Sequence, residues 1–475
     1  MKSLEQLEQK HPAYDEYVKL AEYLYASYIG GDRYRQGAYL TKYFGEDQSG
    51  QFNLYAKRLA ATPLNNYVKS TVDIYRSFLF RELPTRNLGT LINNPQIQQW
   101  VRDTDQEGQG INSFMKSVND LAMVQGNAWV LVDKPSYAVE TVAQEIALGI
   151  RPYACVYTPA NVLDWEYTRN VAGKMELTYI KVIESNTRSD TQVACWHADY
   201  IERYKISKDA EGLAEAISEY EQYENPLGYV PFVNHRPIPA PLPGTGYSLI
   251  EDVADIQKYC YNMLSELEQS VRISGHPTLV KTADTNATAG AGSIVTIPQD
   301  LDPGLVPFLL QPTGATIGSI LDTIDKQLDV IGVITHTDAV QTTHGTPISG
   351  VALQTSRQLL NSKLSDLADT IEETEIKMWK IFADWTGIQL PDDFNVDYID
   401  TFDIRDQHSE MELYTKALAA VPSGEFRQYV ERDIIDMIVD DPAEAERIKK
   451  TIQVNDTESD NDDVSDNDDV SDDQA

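Results

Sequence analysis

The stretch 247–335 constrains this chain more than any other, because it reads as two amphipathic helices bracketing a short Gly- and Pro-rich insert. In the first helix Ile250, Val253, Cys260, Leu264, Leu267 and Val271 fall three, four or seven residues apart. Ile317, Ile320, Leu321, Ile324, Leu328 and Ile331 do the same in the second. Such spacing lines one side of a helix, and that side must be buried against something. Leu249, Ile256 and Met263 widen the first stripe to roughly 140° of arc, enough to touch two neighbours at once. Residues 275–314 between the helices carry three short extended runs. The plan is a stalk with a small head on its end, and the broad face fits either an ordinary core or contact between copies in a closed ring.

Around this stretch the chain alternates between helical and β patterns. Residues 12–29 form a helix with Tyr14, Tyr17, Ala21, Leu24 and Tyr28 on one side, stopped by Gly30 and Gly31. A loop to about residue 51 follows. Pro63 divides 52–84 into two helices, the second burying Val68, Val72, Tyr75, Phe78 and Leu79, and Pro84 closes it. A helix over 111–123 turns at Gly126-Asn127 into a strand at 128–133. Further strands are predicted at 152–157, 162–167, 176–183, 192–197 and 200–206, with a short run at 229–233. Pro237, Pro239, Pro241 and Pro243 then predict a stiff hinge into the stalk.

Beyond the stalk, residues 335–350 are polar and aperiodic, which predicts a flexible loop. A long helix over 351–386 follows, with Leu353, Leu360, Leu364, Leu367, Ile371, Met378, Ile381 and Trp385 in steps of three and four. Arg357 and Thr374 interrupt its apolar face, and Gly387 stops it. At 1.5 Å per residue it reaches roughly 50 Å, the width of a domain. A strand at 395–403 precedes three helices at 410–420, 424–439 and 442–453. The end repeats Asp-Asn-Asp-Asp-Val-Ser twice over 460–471, a composition of disorder.

Charge narrows the function classes. The net charge is −35, and removing the ten acids of 456–473 still leaves −25. Nucleic-acid binders cluster Lys and Arg to displace counterions, and no such cluster exists here. Static DNA binding is disfavoured; passage of DNA along an acidic wall is not. The start, MKSLEQLEQK, lacks the apolar core of a signal peptide, and no run is long and apolar enough to span a bilayer. Three scattered cysteines, Cys155, Cys195 and Cys260, fit neither a disulfide framework nor a zinc site, so a reducing cytosol is expected.

No motif carries catalysis. Gly244-Thr-Gly246 lacks the third glycine of a dinucleotide loop, and Gly290-Ala-Gly292 lacks the lysine of a phosphate loop; both read as turns. Cys195 and His197 alternate onto one face of a strand, where a packed thiol beside a satisfied imidazole is the simpler reading than a dyad. His336 and His344 share a loop without acidic or cysteine partners at ligand spacing, so no metal is expected. The acidic repeat lacks the turn glycine and closing glutamate of a calcium loop. No cofactor and no enzymatic activity are expected.

Several segments carry a family resemblance: YAKRLAATPLNNYVKSTVDIYRSFLFRELP, DLAMVQGNAWVLVDKP, RPYACVYTPANVLDWEY and YVPFVNHRP, together with the order helix, β insert, helix, polar loop, very long helix. Over residues 50–450 the chain resembles the portal, or head–tail connector, proteins of tailed bacteriophages. The resemblance implies a multi-region α+β portal fold that forms a dodecameric ring at a unique capsid vertex. Within it, 1–51 would be an N-terminal helical segment, 52–243 an α/β wing, 244–274 and 314–334 the stem helices, and 275–313 a small α/β clip. Residues 335–350 would be a tunnel loop, 351–403 the long wing helix with its closing strand, 404–454 a helical crown, and 455–475 a disordered acidic tail.

The implied role is a conduit for DNA packaging and ejection, assembled in the host cytoplasm and resident in the virion. The implied partners are double-stranded DNA, the terminase large subunit, neck or adaptor proteins, and the major capsid and scaffold proteins, with no membrane. In the tunnel loop His336, Thr337, Asp338, Gln341, Thr342, Thr343 and His344 would meet DNA, and Lys281, Thr282 and Asp284 would form the clip interface. The stretch 247–335 holds eleven acids against four bases, so sparse contacts from Lys258, Arg272 or Lys326 are expected to line the channel. Another phage head–neck ring protein is the alternative, and a cytosolic hydrolase using paired carboxylates in an acidic cleft is a further one.

Overall fold

The computed structural model describes residues 2–44, 46, 54–135, 144–145, 148–275, 278–280, 302, 308–310, 315–337, 350–399, 402, 407–420, 424–438 and 447–449. It is a mixed α+β structure in two compact units, 1–402 and 403–475.

The first unit opens with α1 (Leu4–Glu8), closed by a capping box between Ser3 and Gln6, and α2 (Tyr14–Ile29). Gly30 ends α2 at φ 68°, but the chain does not loop to residue 51. It turns at once into α3 (Gly31–Gln36), a helix whose single buried apolar side chain, Tyr34, is too weak a pattern to read in advance. α4 (Leu54–Ala61) and α5 (Tyr67–Leu79) flank Pro63 as expected, and Asn66 caps α5 through the amide of Lys69. Next come β1 (Thr85–Arg86), α6 (Pro95–Arg102), α7 (Ile111–Gln125) and β2 (Ala128–Asp133).

Two antiparallel sheets form the β region. β3 (Tyr153–Tyr157) is the first strand after β2. Four strands follow in a meander with β4 (Val162–Arg169): β5 (Met175–Asn186), β6 (Asp190–His197), β7 (Tyr200–Lys208) and β8 (Ala214–Glu224). β9 (Phe232–His235) returns to β2, giving the order β3-β2-β9. α1 lies on the five-stranded sheet, where Leu7 packs with Val193, Cys195, Tyr204 and Ile206. Beneath it Lys181, only 1% exposed, donates to the carbonyls of Gln6 and Gln9 at the helix end that carries partial negative charge.

The proline-rich segment after β9 is not a free hinge. Pro239 bridges to Gly246, the Trp165 indole donates to Pro243 O at 2.8 Å, and Asn127 and Asn234 both donate to Gly244 O. Both glycines are needed for this close approach, since a Cβ on Gly126 (φ 91°) would clash with the Gly246 carbonyl oxygen and one on Gly246 with that of Gly126. These bonds seat the start of α8 (Glu251–Gly275), with Leu249 N donating to Met123 O.

β10 (Thr278–Val280) and β11 (Phe308–Leu310) pair antiparallel, Thr278 opposite Leu310, and lead into α9 (Ala315–Thr335). α10 (Gly350–Thr386) has 37 residues, about 55 Å at 1.5 Å each, and its Leu360, Leu364, Leu367, Ile371 and Met378 are buried. The strand expected over 395–403 is two residues, β12 (Val396–Asp397), paired to β1. The main core joins α5, α6, α7, β2, the base of α8 and α10, with Trp100 tilted against Phe382 at 4.7 Å and edge-on to Trp379.

Polar groups inside this core are paired. Glu375, fully buried, accepts from Arg86, the Trp379 indole and the Tyr398 hydroxyl. Thr374, an interruption in sequence, bonds the buried His235 ring at 2.8 Å, and the other ring nitrogen lies 3.3 Å from Asn119 Oδ1. Burial holds that imidazole's pKa down to about 3.

In the second unit α11 (Gln407–Ala420) packs on α12 (Gly424–Ile438), with Val430 buried. The third expected helix, over 442–453, lies outside the described residues except for 447–449, and the acidic tail lies outside them entirely.

Candidate functional site

The helix pair α8–α9 is amphipathic as its periodicity demands, and among the described residues its polar ties to the N-terminal segment gather at one end. Along the first five turns of α8 the N-terminal segment ties itself to the helix. The Tyr23 hydroxyl donates to Ala254 O at 2.9 Å and lies 3.1 Å from Asp255 Oδ1. Gln257, buried within the helix, accepts from Val68 N and donates to Ser27 O, each at 3.0 Å. Asn262 accepts from Thr41 N and donates to Tyr39 O. One turn on, the Tyr43 hydroxyl bonds Glu266.

Arg58 closes this clamp. Its guanidinium forks onto Glu46 at 2.8 and 2.9 Å, donates to Ser265 Oγ at 3.0 Å, and stacks 3.9 Å from the Tyr43 ring centroid. Both Arg58 and Glu46 are 5% exposed, and the guanidinium beside it holds the Glu46 carboxyl below its ordinary range. Sequence reading had no route to this arrangement, because Arg58 and Ser265 lie 207 residues apart.

Beyond Glu266 the described residues of α8 make no such tie to the N-terminal segment. Arg272 pairs with Glu268 one turn back on the same helix. A shallow groove of about 550 Å³ runs there, bordered by Pro63, Leu264, Leu267 and Val271. Val271 is 52% exposed, and on α9 Leu321, toward the same end, is 44% exposed. The breadth of the α8 face therefore has a different use from the one expected at its base. There its edges meet α2, α4, α5 and α9 of the same chain, while at the far end Val271 and Leu321 leave apolar surface bare among the described residues.

The pair is acidic. α8 and α9 carry eight Asp and Glu against Lys258, Arg272 and Lys326. Asp322, Asp325 and Asp329 recur at three- and four-residue steps and share the exposed side of α9. At the base of α8, burial raises the pKa of the Glu251 carboxyl, and Asp252 and Asp255 raise it further. Lys258 is exposed and sits 5.6 Å from the Tyr23 ring centroid, while Lys326 is exposed with no ion pair among the described residues. A cation absent from the expectations is Lys363 of α10, half-buried 5.5 Å from the Tyr75 ring centroid. Burial depresses its pKa and Asp252 opposes that shift.

α9 ends in a Schellman cap. His336 takes φ 56°, the left-handed conformation usual for glycine there; its amide donates to Val333 O and that of Thr337 to Gly332 O. Thr337 is fully buried and its hydroxyl bonds that of Thr335, so it is part of the cap and not an open loop. Of the other residues expected in the polar loop, Asp338, Gln341, Thr342, Thr343 and His344 lie outside the described residues, as do Lys281, Thr282 and Asp284.

Cys195 and His197 do not form a thiol–imidazole dyad. Cys195 is buried with Tyr179 Oη 3.6 Å from its sulfur, while His197 stacks on Tyr200 and lies 3.8 Å from Glu202. Burial pushes the Cys195 thiol up, Cys260 to about 11 and Cys155 to about 12, which keeps all three protonated. Among the described residues no group of His, Cys, Asp and Glu could hold a metal, and no helix is long and apolar enough to cross a membrane.

No family model and no curated protein matches the chain. Among solved structures it is similar to a chain from the neck of an empty gene transfer agent particle computed with C6 symmetry. The identity is 9% and the TM-score 0.39, over 77% of this chain and 90% of that one. A chain from the virion of a native gene transfer agent particle is similar at 9% identity and TM-score 0.38, over 79% of this chain and 92% of that one.

Proposed function

We propose that the chain is a portal-type structural protein of a tailed phage or phage-like particle. It forms a ring, a dodecamer by the family pattern, whose α8–α9 pairs wall a passage for double-stranded DNA during packaging and ejection. The observation that carries this reading is the far end of the helix pair. Val271 and Leu321 lie bare on helices whose polar surface is dominated by acids. Apolar stripes left uncovered within one chain are covered by repeating the chain around an axis, and an acidic wall lets a polyanion slide without sticking.

In this reading the packaging motor's large terminase subunit and the later neck proteins meet the β10–β11 end, with Lys281, Thr282 and Asp284 at the contact. Capsid and scaffold proteins surround the sheets. Lys258, Arg272 and Lys326 supply sparse, salt-sensitive phosphate contacts, and the segment after the α9 cap, Asp338 to His344, faces the DNA.

Mass by light scattering and negative-stain images test the proposal. Rings with an open centre are expected, and Val271→Asp combined with Leu321→Asp is expected to give monomers of unchanged helix content. A wild-type chain that stays monomeric at micromolar to millimolar concentration sinks it.

A further inference from the structure

A cleft of about 450 Å³ opens between α2, the end of α7 and residues 240–251. That volume lies in the range of built ligand sites. Its wall is apolar, from Leu20, Ala21 and Leu24 of α2, and Leu242 and Tyr247 stand at its mouth 40% and 52% exposed. The proline-rich segment is held rigidly by the bonds to Trp165, Asn127 and Asn234, so the cleft is preformed.

The charged side chains that line it are both acids. Glu16 and Glu251 contribute carboxylates. Gln125 also lines it; its side chain is 5% exposed and its Oε1 has no hydrogen-bond partner. The Tyr17 hydroxyl is within 3.3 Å of the carbonyl oxygens of Gln125 and Gly246, so its proton is engaged. Arg236, whose charge acts on the Tyr17 phenol, does not line the cleft. An apolar slot with a buried orphan acceptor and two carboxylates complements a donor-rich cation on an aliphatic stem.

We propose that this cleft docks a lysine or arginine side chain borne beside an apolar residue on a partner polypeptide. The stem lies along Leu20 and Leu24, an N–H reaches Gln125 Oε1, and the cationic head sits between Glu16 and Glu251. The adjoining apolar residue packs on Leu242 and Tyr247. The proposal does not depend on ring formation, and it stands or falls separately from the conduit reading.

The test is fluorescence anisotropy of the full chain with a labelled Ser-Leu-Arg-Leu-Ser peptide, its Lys counterpart, and counterparts with norleucine or Glu in the central position. The Arg and Lys peptides are expected to bind at least tenfold more tightly than the norleucine peptide. Glu16→Gln with Glu251→Gln, and separately Leu242→Ala, are expected to weaken them by at least fivefold with unchanged circular dichroism. Because the whole chain is acidic, Glu219→Gln with Glu221→Gln on the remote strand β8 serves as control and is expected to change nothing. Equal binding of all four peptides, equal weakening by the control pair, or no saturable binding up to millimolar peptide overturns the proposal.

Discussion

The two ends of α8 share one apolar pattern and have different fates. Ile250, Val253 and Cys260 at the base are fully buried, whereas Val271, on the same stripe three turns further on, is half exposed. At the base the helix meets the main core and the clamp of residues 23–58; toward the tip it leans on α9. Equal periodicity therefore does not mean equal burial. A stripe says that a face wants a partner, and tertiary structure says whether that partner belongs to the same chain.

This contrast can be broken experimentally, beginning at the clamp. Arg58→Ala leaves the Glu46 carboxylate buried without its cation, and a loss of about 3–5 kcal/mol in urea unfolding is expected. Arg58→Lys keeps the charge without the fork and should cost less. Ile250→Ala, at the buried base, is expected to cost about 2–5 kcal/mol by the same measurement.

Acid probes the same clamp. The Glu46 carboxyl is held below its unfolded value by Arg58, so its contribution is fully present above the ordinary carboxylate range and is lost as pH falls through the folded value. Amide exchange in the middle of α8 should rise through that step, and the step should vanish in Arg58→Ala. The smallest effect belongs to the tip: Val271→Ala should change the unfolding free energy of the isolated chain by less than about 0.5 kcal/mol. A large loss there would mean that the tip is packed within the monomer after all.

Much of the helical and strand layout was readable in advance. α5, α7, β2 and α10 lie within a few residues of their expected positions, because long apolar periodicity and a well-placed Pro63 or Gly387 leave little choice. The misses have particular causes. β8, AEAISEYEQYE, is acidic and largely exposed, so it takes its conformation from pairing with β7 and not from strand propensity. α6 shows only Ile97 and Trp100 on its buried side, although Asn94 as cap and Pro95 at the first position were signals that could have found it.

The candidate site divides the same way. Sequence by itself determined that 251–275 and 315–335 are amphipathic helices, that their surface is acidic, and that a very long helix follows, because period and charge are properties of neighbouring residues. Tertiary structure alone decided that Arg58 joins Glu46 to Ser265, that Thr374 meets His235, that the glycines at 126 and 246 let two backbones touch, and that Thr337 closes a cap. Each of these brings together groups whose need for a partner is local but whose partner is set by how distant elements pack. A buried polar atom shows in sequence only as an interruption, and the fold supplies the bond that makes the interruption tolerable.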